Sequence, residues 1–154
     1  MVCIVTRDSL DIVRLGHAGR MKDLVKRLQC QVAKFRLGMD YVRRFHAPLL
    51  EATNHHLAGL YYELIAPVRQ HLRSRHLVVV PHDFLHYLPF HALRGGGGSL
   101  IDDFTVSYAP SARIFAHCQT LPPSADRRTL ILGYPDARTP HIVDEIRAEA
   151  ASID

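Results

Sequence analysis

The chain has 154 residues, a length that suits one domain of ordinary size and is too short for two. Hydrophobic residues make up 47% and charged residues 22%, which excludes a wholly disordered chain. The net charge of +4 is unevenly distributed, because residues 1–94 hold 14 Lys and Arg against 7 Asp and Glu, whereas residues 95–154 hold 5 against 8. The basic residues are spread along predicted helices, so we interpret them as a solvated face rather than a nucleic-acid site.

Targeting signals and disulfides are not expected. No apolar run approaches the ~18 residues of a membrane span, and the start of the chain lacks the basic region and long apolar core of a secretory signal. We therefore expect a cytoplasmic protein. The three cysteines, Cys3, Cys30 and Cys118, are odd in number and far apart, so we predict no disulfide framework.

The first half of the chain predicts a hairpin and two long helices. Val2–Thr6 and Leu10–Leu15 are β-branched runs separated by a short polar segment, as in a β-hairpin. Apolar residues at helical spacing then predict a long amphipathic helix with Gly38 as a possible break; they are Met21, Leu24, Val25, Leu28, Val32, Phe35, Met39 and Val42. A second helix is expected to start at Pro48 and to kink or split at Pro67, which lacks a backbone donor.

The second half alternates predicted strands and helices. His76–Val80 is typical of a strand buried on both faces, and Phe104–Tyr108 and Thr129–Gly133 predict two more strands. Ser111 is the predicted cap of a helix, and the last predicted helix runs to Asp154 without a stop signal. This alternation indicates an α/β fold with at least part of its sheet parallel.

An irregular connection is predicted between the first two of these strands. Leu85–Leu93 is apolar but interrupted by Pro89. Gly95–Gly98 lacks the Gly-Lys-Ser/Thr ending of a phosphate-binding loop, and with Ser99 it has the sequence of a common synthetic linker. Because the flanking sequence reads as one continuous domain, we interpret these glycines as a native turn.

Several histidines and a cysteine invite a chemical interpretation. His82–His86 (HDFLH) resembles the zinc-binding H-E-x-x-H pattern, and His91 is a candidate third ligand. The pattern needs both histidines on one face of a regular helix, but the stretch between Pro81 and Pro89 is too short for two helical turns. We interpret these histidines as partly buried and hydrogen-bonded in a packed loop. His117 and Cys118 are neighbours on a predicted helix, so their side chains diverge by about 100° and Cys118 is expected to face the core.

Five ordered segments carry a resemblance to a known family; they are Leu77–Pro81, Leu88–Leu93, Leu100–Asp102, Val106–Ser111 and Leu130–Asp136. Together they resemble the CHAT domain, a caspase-like cysteine-peptidase family that is often fused to tetratricopeptide repeats in bacteria. The N-terminal hairpin and helices are similar to the front of that domain, so the resemblance covers essentially the whole chain.

The resemblance implies a fold and a domain organisation. We expect a three-layer α/β/α caspase-like sandwich with a mostly parallel sheet, incomplete in this chain and preceded by a β-hairpin and two long helices. The whole of 1–154 is then a single incomplete CHAT domain, with 1–75 as the hairpin and helical part and 76–154 as the first strands and helices of the α/β part.

The reaction implied by the family is peptide-bond hydrolysis by a thiolate that a histidine activates. In this family the catalytic histidine precedes a glycine, and the cysteine ends a motif like Leu-Ser-Ala-Cys, both after the segment that matches Leu130–Asp136. This sequence has no His-Gly dipeptide and no cysteine after Cys118. We therefore expect an N-terminal fragment that is inactive alone, and we carry over no catalytic residue.

The remaining expectations concern substrate and partners. By resemblance, Asp136 and Arg138 lie at the carboxyl edge of the sheet and are candidates for the substrate pocket. The alternative is a non-catalytic regulatory module whose basic helices, Arg20–Arg44 and Pro48–Arg75, dock on a tetratricopeptide-repeat region of the same or a neighbouring polypeptide. The expected partner is a protein or peptide, not a membrane or nucleic acid, and no cofactor or metal is predicted.

Overall fold

A computed structural model of the chain describes residues 1–122 and 142–151. The chain divides into two compact units, Met1–Gln119 and Thr120–Asp154. The predicted strand Thr129–Gly133 and the candidate pocket residues Asp136 and Arg138 lie outside the described residues. In the second unit the described element is the helix α6, which has the bounds Ile142–Ala151.

The predicted N-terminal hairpin is confirmed. Strands β1 (Val2–Val5) and β2 (Leu10–Val13) pair antiparallel, and the pairing runs from Val2 opposite Val13 to Val5 opposite Leu10. The hydroxyl oxygen of Thr6 fixes the turn, because it accepts the backbone N–H of Ser9 at 2.9 Å. His71, the last residue of the 3₁₀ turn Ala66–His71, has its Nδ1 3.4 Å from a carboxylate oxygen of Asp11. A polar contact therefore joins the hairpin to the helical part.

Three helices follow, with the bounds α1 Ala18–Ala33, α2 Met39–Arg44 and α3 His46–Leu64. The predicted break at Gly38 is confirmed, since this residue has a φ of +100°, a left-handed conformation that favours glycine. The predicted split at Pro67 is also confirmed. Helix α3 ends at Leu64, and Pro67 lies in a 3₁₀ turn, Ala66–His71, that follows it. No described helix combines the length and hydropathy that crossing a bilayer demands.

The remaining strands have the bounds β3 His76–Val79, β4 Arg94–Gly95, β5 Gly98–Ser99 and β6 Thr105–Tyr108, with helices α4 Leu100–Asp103 and α5 Ala112–Thr120. Strands β3 and β6 pair in parallel, from His76 opposite Thr105 to Val79 opposite Tyr108. This pairing confirms the mixed α/β fold with a parallel sheet. The predicted burial of β3 on both faces is wrong, because Leu77–Val79 are half-buried and Val80 is exposed. Ser111 caps α5 as predicted, accepting the backbone N–H of Ile114 at 3.1 Å.

The glycine-rich segment forms a tight hairpin of β4 and β5. A Cβ at Gly95 would lie 2.6 Å from Cζ of Tyr61, so this position has no room for a side chain. Gly98 has a φ of +140°. Because two of the four glycines meet specific demands of the backbone and of packing, the structure supports a native turn.

The core of the first unit joins its helices to the irregular segment that follows β3. Leu60 of α3, Leu93 and Leu100 are its most deeply buried side chains. Around them pack apolar residues from α1, α3 and the stretch between β3 and β6; these are Met21, Val25, Leu28, Leu57, Leu64, Ile65, Leu88, Phe90 and Phe104. The helices and the parallel strands of this unit therefore share one core.

The apolar stripe predicted for the first helix leaves the core after Leu28. Val32 is 49% exposed and Met39 is 63% exposed, whereas Gln31 is only 4% exposed. Val32 still lies within α1, where Gln31 rather than Val32 is the residue that contacts α3. Met39 lies beyond the end of α1 at Ala33, and the 3₁₀ turn Lys34–Leu37 between them has a three-residue period that changes the register of the apolar positions. The buried amide of Gln31 is satisfied, since its Nε2 donates to the carbonyl of Leu49 at 3.2 Å.

Candidate functional site

The carboxyl ends of β3 and β6 meet at one edge of the parallel pair. Val79 and Tyr108 are the last residues of these strands and lie opposite each other. The backbone N–H of Ala109 donates to the carbonyl of Val79 at 3.0 Å. This hydrogen bond connects the end of β3 to the residue that follows β6. Open α/β sheets bind ligands at this edge, so the side chains around Tyr108 are the first candidates for a functional site.

Tyr108 is fixed to His91 by two hydrogen bonds. The backbone N–H of His91 donates to the Tyr108 hydroxyl oxygen at 3.3 Å, and this hydroxyl lies 3.0 Å from Nδ1 of the same histidine. The hydroxyl oxygen accepts the N–H, and the tautomer of His91 decides which atom donates in the second bond. In the tautomer that carries the ring proton on Nε2, the hydroxyl donates to Nδ1 and Nε2 is a donor for a ligand.

The segment that carries His91 is held by alternating buried and exposed side chains. Leu88, Phe90 and Leu93 lie in the core, while His86, Tyr87 and His91 are exposed. Two 3₁₀ turns, Asp83–Tyr87 and Phe90–Ala92, flank Pro89 and produce this alternation. Because its apolar members are anchored, the segment presents its polar members at fixed positions on the surface.

A groove with a volume of about 600 Å³ runs between this segment and α1. One wall is formed by Leu28, Val32 and their neighbours on α1 and by Arg36 in the turn that follows it. The other wall is formed by the His86–His91 segment and Tyr108. The groove therefore combines aliphatic and aromatic surface with imidazole and guanidinium groups, a composition that suits the binding of a ligand.

The prediction for the three histidines near Pro89 is only partly correct. His82, His86 and His91 are exposed rather than partly buried, whereas the predicted hydrogen bonding is present at His91, through Tyr108. The HDFLH segment is a 3₁₀ turn, and Asp83 has a φ of +51°, so no regular helix places two imidazoles on one face. Within residues 1–122 and 142–151 no group of three His, Cys, Asp or Glu side chains is arranged to hold a metal ion.

All three thiols are exposed. For Cys118 this overturns the predicted core-facing position, since α5 buries none of its residues among those described. In the described part of the chain no thiol is hydrogen-bonded to an imidazole. The described residues thus contain no bonded cysteine–histidine pair of the kind that activates a thiolate nucleophile.

Positive charge gathers where α1 and α3 face each other. Burial lowers the pKa of His56 below the ordinary imidazole value, and the nearby charges of His55, Arg27 and Lys34 lower it further. The ring of His55 lies edge-on to that of His56, with 5.8 Å between their centroids. At neutral pH His56 is therefore uncharged and adds no positive charge to this face.

The sequence alone does not predict the groove. It predicts an irregular connection at Leu85–Leu93 and an apolar face on the first helix, but not that part of this face is exposed. One signal was present, because aromatic and imidazole side chains alternate with aliphatic ones around Pro89. That alternation cannot show which neighbouring element forms the opposite wall, and here it is α1.

Comparison with known proteins identifies the family. No curated protein and no solved structure matches the chain. The family model of the CHAT domain, a caspase-like peptidase family, matches residues 55–154. This stretch begins within α3 and includes β3, β6 and the His86–His91 wall of the groove. Since the match covers more than half of the sequence, the chain belongs to the CHAT domain family.

Proposed function

We propose that this chain is a protein-binding part of a CHAT domain protein and that its own residues do not supply the cysteine–histidine pair of the family's peptidase reaction. The groove at the carboxyl edge of β3 and β6 is the observation that carries the binding role. Its apolar walls offer surface for burial, and its fixed polar groups offer directional contacts, as protein interfaces do.

The surroundings of the thiols support the second half of the proposal. Attack on an amide carbonyl needs a thiolate, and the thiolate needs a histidine within hydrogen-bond reach or a cationic site that lowers its pKa. Cys3 lies on a strand of the hairpin and Cys30 on the exposed face of α1, and neither is bonded to an imidazole among the described residues. These positions favour solvent contact over nucleophilic catalysis.

A direct activity measurement tests the missing pair. We expect the purified chain to show no turnover of fluorogenic peptides that vary the residue before the scissile bond. A thiol-reactive activity probe should label the folded chain no faster than the denatured chain. Turnover above buffer that disappears in Cys3→Ala, Cys30→Ala or Cys118→Ala would contradict the proposal, because it would identify a working nucleophile.

A tetratricopeptide-repeat region is the partner that we propose for the basic helices. Lys22, Lys26 and Arg27 are exposed on α1, and stacked helical repeats present extended concave surfaces that can receive a helix. In a titration with the repeat region of the same or a neighbouring reading frame, Lys22→Glu with Lys26→Glu should weaken binding about tenfold and reduce its salt dependence. Arg7→Glu with Arg14→Glu on the hairpin is the matched control.

A result in which both charge reversals weaken binding equally would assign the effect to net charge and contradict docking on α1. Strong, salt-sensitive retention of the wild-type chain on a nucleic-acid column would favour a different partner class.

Asp136 and Arg138 are proposed as part of the substrate pocket of a CHAT domain that contains them. A carboxylate and a guanidinium beside the carboxyl edge of the sheet could select the charge of the substrate residue before the scissile bond. In a cleaving protein that includes this sequence, Asp136→Ala and Arg138→Ala should each change the ranking of substrates by that residue. An unchanged ranking would contradict this role.

A further inference from the structure

The groove between α1 and the His86–His91 segment exposes apolar side chains that an apolar ligand would cover. Tyr87 is 73% exposed and Tyr108 is 46% exposed, and they lie along the same groove as Val32. Large aromatic side chains left in water are characteristic of binding surfaces, because covering them gains free energy in proportion to the apolar area buried. A ligand with an aromatic or aliphatic side chain would cover them.

The permanent charge that lines the groove favours an anion. Arg36 contributes this positive charge, and His86 and His91 contribute imidazole groups that can form hydrogen bonds. No acidic side chain lines the groove within the described residues. A guanidinium binds carboxylates through paired hydrogen bonds, so an acidic side chain of the ligand has a natural partner at the Arg36 end.

The volume and the charge of the groove favour an extended peptide over a nucleic acid. Its volume of about 600 Å³ suits a few side chains. A nucleic-acid strand needs a run of positive charges along its phosphates, and Arg36 is the one permanently charged side chain among the described lining residues. The aliphatic wall of α1, by contrast, suits the side chains of a peptide.

The walls of the groove are organised before a ligand arrives. The double hydrogen bond between His91 and Tyr108 fixes one wall, and the buried Leu88 and Phe90 anchor the same segment in the core. A preformed site loses less conformational entropy on binding, so modest contacts can give measurable affinity.

We propose that this groove binds an extended segment of a partner protein in which acidic residues flank an aromatic or aliphatic residue. The proposal rests on the protein-binding function proposed above and names the chemistry of the segment that is recognised. Arg36 binds the carboxylate, Tyr87 and Val32 contact the apolar side chain, and the ring of His91 forms a hydrogen bond with the peptide.

A fluorescence-anisotropy titration of the full chain tests the proposal. The probe is a labelled octapeptide with one phenylalanine between two glutamates and glycine and serine elsewhere. We expect saturable binding that weakens about tenfold or more in Arg36→Glu and in Tyr87→Ala. Both side chains are exposed, so circular dichroism should show that the variants keep the wild-type fold. A peptide with lysines in place of the glutamates should bind at least tenfold more weakly.

Two matched variants separate the groove from the rest of the surface. Arg73→Glu makes the same charge change at an exposed arginine outside the groove, and Tyr62→Ala removes an exposed tyrosine of α3. Both should bind the acidic peptide within twofold of the wild-type chain. Equal loss in Arg73→Glu and Arg36→Glu, or equal binding of the acidic and basic peptides, would overturn the proposal.

The remaining outcomes keep the two proposals apart. Displacement of the peptide by an oligonucleotide but not by unlabelled peptide would overturn the proposal in favour of nucleic acid. Self-association that is lost in Tyr87→Ala would make a second copy of the chain the occupant and would also overturn it. Failure of the acidic peptide together with intact binding of the repeat region would reject this inference and leave the proposed function standing.

Discussion

At the residue scale, Gly95 shows how closely the β4–β5 hairpin approaches α3. A methyl group there would meet Cζ, Cε1 and the hydroxyl oxygen of Tyr61 at 2.6–3.0 Å. We expect Gly95→Ala to lower the free energy of unfolding by about 1–3 kcal/mol, because the ring must move away from a well-packed position. Gly96→Ala is the control, since a Cβ at that residue would meet nothing within 4 Å. Urea denaturation of both variants measures the difference, and equal stability would contradict this contact.

The lowered pKa of His56 gives a prediction about pH. In the folded chain burial and the charges of Arg27 and Lys34 disfavour the protonated ring, whereas the unfolded chain protonates it near pH 6.5. Between the folded and unfolded pKa values the unfolded chain binds more protons. The contribution of His56 to stability is therefore present above about pH 6.5 and is lost as the pH falls through the folded pKa.

Denaturation at pH 7.5 and pH 5.5 checks this sign. The wild-type chain should lose stability on acidification, and His56→Gln should lose less, because glutamine takes up no proton. His46→Gln, at an exposed position near the start of α3, should keep the wild-type response. An identical loss in His56→Gln and the wild-type chain would show that other groups account for the whole effect.

At the element scale, Gln31 connects α1 to α3. Its amide Nε2 donates to the carbonyl of Leu49, and its Oε1 accepts Nζ of Lys34 at 2.9 Å. The Leu49 carbonyl also accepts the hydroxyl of Thr53 at 2.7 Å, so it keeps one partner when the glutamine is removed. We expect Gln31→Ala to cost about 1–2 kcal/mol of unfolding free energy.

Thermal denaturation provides the measurement for Gln31→Ala. The exposed Gln29, two residues earlier on the same helix, is the matched control, and Gln29→Ala should change the stability by no more than about 0.5 kcal/mol. Should the two variants melt together, the link between the helices would contribute nothing measurable.

The elements that the sequence predicts correctly are those marked by local chemistry. Gly38 breaks the first long helix because it adopts a positive φ, and Pro67 ends the second because it lacks an N–H. Ser111 caps α5 through its own hydroxyl, and the polar turn at Thr6 closes the first hairpin. Each of these signals acts within a few residues of chain, so it can be found without knowledge of tertiary contacts.

Local sequence signals do not predict which apolar side chains are exposed, nor the groove between α1 and the His86–His91 segment. Helical spacing places Val32 and Met39 on the apolar face of a helix, and Cys118 is predicted to face the core, yet all three are exposed. Periodicity shows which residues share a face, but only the packing of other elements decides whether that face is covered. The wall that α1 contributes to the groove depends on such packing, since it lies more than fifty residues before His86 in sequence.

At the scale of the whole molecule, the family match begins later in the sequence than the residues that form the core. The match begins at residue 55, within α3, but Met21, Val25 and Leu28 of α1 pack against Leu57, Leu60 and Leu64 in one core. We expect a shortened chain of residues 55–154 to lose cooperative unfolding, because it exposes the apolar face that α1 covers. Calorimetry of the shortened and full-length chains tests this, and a sharp transition in the shortened chain would contradict it.

The parallel pairing of β3 with β6 also has a consequence for the order of events during synthesis. His76, the first residue of β3, pairs with Thr105 of β6. The 28 residues between them must be synthesised before the two strands can pair. During that interval α1 and α3 are already complete and can begin to pack, while β3 has an open edge. Contacts at this sequence separation form more slowly than the local contacts of a helix, so we expect β3 to remain unpaired after the helices have formed.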